Sequence, residues 1–154
     1  MTEQEGRFLV THADEASAVL KDIERGQVHT LGENPGLDAG EVIEGTIAPE
    51  PPMEVTYRLV ESEERRKLSI GESPEPPTQQ EREIARSQPV GEVTRRERAG
   101  LGELHVLTVP EDRTERAIRD VVEDEATLVR AARLGVNRVE VRSETGVVSV
   151  RYLP

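Results

Sequence analysis

Three histidines, His12, His29 and His105, are the side chains of this chain best suited to hold a metal or move a proton near neutral pH. His12 is followed by Asp14 and Glu15, and His29 by Glu33 and Asp38, so each group offers nitrogen and oxygen donors to a divalent cation. A small metal-assisted enzyme built on His12 or His29 is therefore one reading. Composition works against it. With 31 Asp and Glu among 154 residues, any histidine acquires acidic neighbours by chance, and adjacent carboxylates do not mark an acid–base dyad.

The motifs of nucleotide and acyl chemistry are missing. No G-x-x-x-x-G-K-[ST] loop occurs, and Gly100-Leu101-Gly102 precedes a predicted strand rather than a helix, so it reads as a turn. No serine sits in G-x-S-x-G. The chain has no cysteine, which excludes disulfides, thiolate metal sites and a cysteine nucleophile. No cofactor is implied.

Arginine carries nearly all the positive charge. It clusters at Arg65-Arg66-Lys67, at Arg95-Arg96-Glu97-Arg98 and along the C-terminal strands. Only Phe8, Tyr57 and Tyr152 are aromatic, so no stacking platform for single-stranded nucleic acid is visible. A nucleic-acid or ribosome-associated role is the least favoured alternative. Its affinity would fall by roughly four to five decades between ~0.2 and ~2 M salt for five phosphate contacts. The C-terminal strands offer a sharper candidate. Period-two alternation places Arg138, Arg142 and Arg151 on one face with Glu140 as the only acid, so one carboxylate must serve several guanidinium groups. An acidic protein partner, docking through Arg–carboxylate pairs, fits that excess. The competing expectation is that acids of the chain itself, such as Asp120 or Glu123, neutralise the face.

Those residues must be positioned by short elements. Strands are expected at Arg7–His12, Ser17–Ile23, Gln27–Leu31, Glu41–Ala48 with a possible bulge at Gly45, Met53–Glu61 and Arg65–Ile70. The loop from Gly32 to Gly36 contains Asn-Pro-Gly, which stops both helix and ladder. Together they predict a small β-barrel-like domain of OB or SH3-like type over residues 1–71. Three prolines between Gly71 and Gln80 suggest a linker over 72–80. Residues 81–154 then form an α+β domain. Thr78 and Glu81 have capping-box spacing for a short helix to Arg86, and residues 90–98 and 103–109 pair as strands. Helical spacing covers Glu111–Glu123 and again Asp124 to Leu134, with Leu128, Val129 and Ala132 inward and Gly135 as the stop. Val136–Ser143 and Val147–Leu153 close a hairpin. The result is an antiparallel or mixed sheet covered by two helices.

Arginine outnumbers lysine eighteen to two, and the formal net charge is −11. Residues 1–72 alone hold 16 acids against 7 bases. Such a surface stays hydrated and self-repelling where salt shortens the Debye length to about 3 Å. The acidic start, Met1 to Gly6, lacks the basic flank of a signal peptide, and no apolar run nears the roughly 18 residues of a membrane span. A cytoplasmic protein with no membrane role is expected, its oligomeric state left open. The composition, with Val28-His29-Thr30-Leu31-Gly32-Glu33-Asn34-Pro35-Gly36-Leu37, Arg95-Arg96-Glu97-Arg98-Ala99-Gly100 and the ending Gly146-Val147-Val148-Ser149-Val150-Arg151-Tyr152-Leu153-Pro154, resembles an uncharacterised protein family of halophilic archaea. The likeness covers nearly the whole chain and implies a salt-rich cytoplasm, with no activity or site residue to carry over. The function expected is a non-enzymatic binding or adaptor module that contacts a macromolecular partner.

Overall fold

The alternation of Phe8 with Val10 becomes a strand because one face of it meets an aliphatic interior. In the computed structural model, which describes residues 2–154, the chain divides into two compact units, Met1–Leu68 and Ser69–Pro154.

The first unit is a closed five-stranded barrel. Its strands are β1 (Gln4–Ala13), β2 (Ala18–Asp22), β3 (Val28–Leu31), β4 (Glu41–Pro49) and β5 (Tyr57–Lys67), in the order β1-β2-β3-β5-β4. All neighbours are antiparallel except β3 and β5, which meet in parallel at Leu31 and Tyr57 and close the barrel. Phe8, Val10, Leu20, Leu31, Ile43 and Ile47 fill the interior, with Leu37 and Tyr57 packed against them. Asn34 ties down the Gly32–Gly36 loop: its Nδ2 donates to Asp14 O and Leu37 O, and its Oδ1 accepts from Gly36 N and Leu37 N.

Gly45 marks a bulge between β4 and β5, as its place in the strand suggests. A Cβ there would stand 2.2 Å from the Glu61 carbonyl oxygen, whereas one on Gly71 meets nothing within 4 Å. Gly45→Ala is therefore expected to cost about 1–3 kcal/mol in urea denaturation, and Gly71→Ala close to nothing. Equal midpoints for the two variants would show that the barrel yields at Gly45.

Two strand boundaries differ from expectation. Met53 and Val55 are exposed in a turn, and the strand starts at Tyr57. Pro51 and Pro52 have no N–H to give a ladder, and Glu54 takes a positive φ of 59°. The stretch Arg65–Ile70 is shared between β5 and a new strand, β6 (Ser69–Glu72), which belongs to the second unit.

The second unit is a mixed sheet between helices. Besides β6 it contains α1 (Gln79–Arg86), β7 (Val93–Glu97), β8 (Glu103–Thr108), α2 (Thr114–Glu123, entered through a 3₁₀ turn Glu111–Arg113), α3 (Glu125–Leu134), β9 (Arg138–Glu144) and β10 (Val147–Leu153). The sheet order is β6-β9-β10-β8-β7, with only the β6–β9 pair parallel. Val139, Val141, Val148, Val150 and Tyr152 share the buried face of the hairpin, and α2 packs on β9 and β10. Within α3, Thr127, Ala131 and Ala132 are buried while Leu128 and Val129 are half-buried. Gly135 ends α3 in the left-handed region.

The opposite face is covered as well, by α1. Ile84 and Ala85 pack on Val106, with Leu104 and Val147 beside them. The Pro-rich stretch 72–80 lies within this unit: Ser73 N donates to Val141 O, and Pro77 is buried. No helix is long and apolar enough to cross a membrane among the described residues.

Candidate functional site

The arginines of β9 and β10 lie on the sheet face that α1 covers. Register fixes this, because Ser149 pairs with Arg142 on one side and Val106 on the other, and Val106 touches α1. Arg142 is pinned there. It bonds Glu140, reaches Glu75 Oε2 at 2.8 Å, and donates to Pro76 O. The Glu140 hydrogen bond holds its guanidinium pKa above the ordinary value. Arg151 donates from Nη1 to Glu81 Oε2 at 3.1 Å. Arg138 is exposed and has no ion pair among the described residues. The acids that meet this face are Glu75, Glu81, Glu140 and Glu144, the last bonded to Arg82 of α1, rather than Asp120 or Glu123.

Glu140 faces two guanidinium groups and hydrogen-bonds only one of them. Arg142 Nε takes its Oε1, while Arg151 Nε stops 3.7 Å from the same atom. Arg151 Nε is consequently buried with no hydrogen-bond partner. An orphaned donor on a cation is costly where water is excluded.

That side chain lines a groove of about 430 Å³, which Arg96, Arg98, Leu104, Thr78 and Glu81 also line, with Glu97 at its rim strand. Local sequence builds each wall. The capping box sets α1: Thr78 Oγ1 accepts from Glu81 N, and Glu81 Oε1 accepts from Thr78 N at 2.9 Å. Arg96 comes from edge strand β7, and Arg98 from the following turn, where its Nη1 donates to Leu101 O. Glu81 is fully buried and bonded to Arg151 and Thr78, so its charge is used within the fold, and the lining holds Arg96, Arg98 and Arg151 against Glu81 and Glu97, an excess of one positive charge. This arrangement can accept a carboxylate through charge-assisted hydrogen bonds.

Sequence spacing exposed only part of this groove. Arg151 is among the expected residues; Arg96 and Arg98 stand out as a basic cluster but not as its neighbours. Glu81 is legible only as a capping residue. Its second partner lies 70 residues away.

The histidines do not assemble. His12 is exposed on β1 beside Thr11, and His29 points into the barrel, with ring contacts to Phe8 at 6.2 Å and Tyr57 at 4.6 Å. His105 on β8 bonds Glu103, which also accepts two bonds from Arg130 Nη2 and one from its Nε. Burial raises the Glu103 pKa, but the His105 and Arg130 bonds outweigh it and leave it below the usual carboxylate value. No group of three His, Cys, Asp or Glu is placed to hold a metal among the described residues.

A profile model for a family of unknown function (DUF5812) matches residues 4–143. This chain belongs to that family. The DUF5812 match spans the barrel and most of the second unit, including Glu81, Arg96 and Arg98 but stopping short of Arg151. No curated protein and no solved structure matches the DUF5812 chain.

One titration follows from the barrel of this DUF5812 member. Burial lowers the His29 pKa below its ordinary 6.5, against the opposing charge of Asp22, and its Nε2 has no hydrogen-bond partner. A neutral His29 therefore contributes stability that is complete above pH 6.5 and lost as pH falls through the lower folded value. His29→Phe should keep the ring packing and flatten that part of the curve. Parallel pH profiles of the urea midpoint, identical for wild type and variant below pH 6.5, would remove His29 as the source.

Proposed function

We propose that this chain is a non-enzymatic binding module whose second unit takes up a carboxylate-bearing segment of an acidic protein partner. The observation that carries the reading is Arg151, whose Nε is buried and unbonded beside a groove that Arg96 and Arg98 also line. A carboxylate entering there would meet the Arg96 and Arg98 guanidinium groups beside Arg151. Arg142 acts from behind by taking the Glu140 hydrogen bond, which leaves Glu140 Oε1 3.7 Å from Arg151 Nε. Arg138, exposed on the same hairpin, is available to the same partner.

Composition supports the setting. Acid excess with arginine as the cation suits a salt-rich cytoplasm, where long-range steering is screened and short, partly desolvated Arg–carboxylate pairs persist. Independent folding of the two units belongs to the same proposal. Limited proteolysis should release two resistant fragments that meet close to Leu68–Ser69; first cuts well inside either unit would oppose it.

The binding test uses a glutamate-rich synthetic peptide in ~1 M KCl, where screening is nearly complete. Arg96→Ser with Arg98→Ser should weaken binding about tenfold or more while circular dichroism stays unchanged. Undiminished affinity in the folded double variant would overturn the reading.

A further inference from the structure

We propose that the acidic segment binds as an added strand on the free edge of β7, a step that rests on the groove reading above and gives it a geometry. β7 is the outermost strand of its sheet, and only β8 pairs with it. Arg98 N donates to Gly102 O, and Thr108 N donates to Glu92 O, at the two ends of the β7–β8 ladder. Antiparallel alternation between those ends turns the backbone of Thr94 and Arg96 toward β8. The N–H and C=O groups of Val93, Arg95 and Glu97 then face outward, and no described group bonds them.

The side chains name the occupant. Thr94 and Arg96 sit opposite Val106 and Leu104, so they point to the α1 face where the groove lies. Arg95 sits opposite His105 and points to the other face. From Glu92 to Arg98 the edge thus offers Arg95, Arg96 and Arg98 against Glu92 and Glu97, with the arginines gathered at the groove end. Successive same-face residues of an extended strand are about 6.8 Å apart. Carboxylates at alternate positions of an incoming strand therefore match Arg96 and Arg98, while the residue between them lies opposite Glu97 and must be uncharged, as a small or apolar residue is. At the start of the edge Val93 and Val90 are 41% and 62% exposed, a footing for an apolar residue. The occupant is an extended segment of a partner protein that alternates acidic with small or apolar residues.

The test compares a capped peptide alternating glutamate and threonine with the same peptide N-methylated at alternate backbone amides. N-methylation removes strand hydrogen bonds and leaves the carboxylates in place. The methylated peptide should bind about tenfold more weakly or worse. In the protein, Glu97→Pro removes an outward N–H at an edge position that tolerates proline and raises the local positive charge. It should nonetheless weaken the unmethylated peptide by a similar factor. Equal binding of the two peptides would overturn strand addition while leaving the groove reading intact. Binding of neither peptide would overturn both. Tighter binding of a single-stranded RNA than of the peptide, lost in Arg96→Ser, would transfer the surface to nucleic acid and overturn the proposal. Concentration-dependent dimers in sedimentation velocity, abolished by Glu97→Pro, would assign the edge to a second copy instead and likewise overturn it.

Discussion

Glu81→Ala should destabilise the second unit by about 2–4 kcal/mol. Breaking a buried ion pair by removing one member typically costs about 3–5 kcal/mol, because the surviving charge stays buried without compensation. The lower range applies because Arg151 is 22% exposed and can recruit some water, which screens the loss. Two deficits arise together. Thr78 N loses its acceptor, so the α1 cap opens, and Arg151, whose Nε is already unbonded, loses the bond from Nη1. Against a typical domain stability of about 5–15 kcal/mol this is a large share. Glu81→Gln keeps an acceptor for Thr78 N and should cost less. Replacing both partners by apolar residues, Glu81→Leu with Arg151→Met, should recover much of the loss, since no charge is then left behind. Urea midpoints of the three variants check the order. A double variant less stable than Glu81→Ala would mean that packing, not charge, dominates here.

The barrel should lose cooperative structure in dilute salt. Residues 1–68 carry 15 acids against 7 bases, and the folded strands bring some of these acids together. Glu44 of β4 lies directly opposite Glu64 of β5, and β5 displays Glu61, Glu63 and Glu64 on an exposed stretch. Like charges directly opposite destabilise an antiparallel pair. The interior that must oppose this repulsion is aliphatic apart from Phe8, Tyr57 and His29. Raising KCl from ~0.1 to ~3 M shortens the Debye length from about 10 Å to below about 3 Å and removes most of the repulsion. Circular dichroism should then show a cooperative gain of β structure. Glu64→Gln should move the midpoint of that gain to lower salt by removing one of the two like charges placed opposite each other. Equal stability at both ends of the range would refute self-repulsion as the controlling force.

Local chemistry made much of this architecture readable. The Thr78–Glu81 box, the Gly135 stop, the Gly45 bulge and the hairpin across Glu144-Thr145-Gly146 each depend on residues a few positions apart. Period-two alternation likewise placed Val139, Val141, Val148, Val150 and Tyr152 on one face. The expectation that one carboxylate cannot satisfy every arginine of the other face also needed only the residue inventory.

Tertiary structure decided which elements meet. Alternation could not say that α1 lies on the arginine face, that β6 leaves the barrel to run parallel to β9, or that β3 closes on β5. Nor could it bring Arg96 and Arg98 beside Arg151, or choose Glu75 and Glu81 over Asp120 and Glu123 as the opposing acids. Periodicity assigns a side chain to a face, and turn chemistry assigns a boundary. Which face is then covered depends on how the whole chain best buries its scarce aliphatic residues, and that is a property of long-range packing.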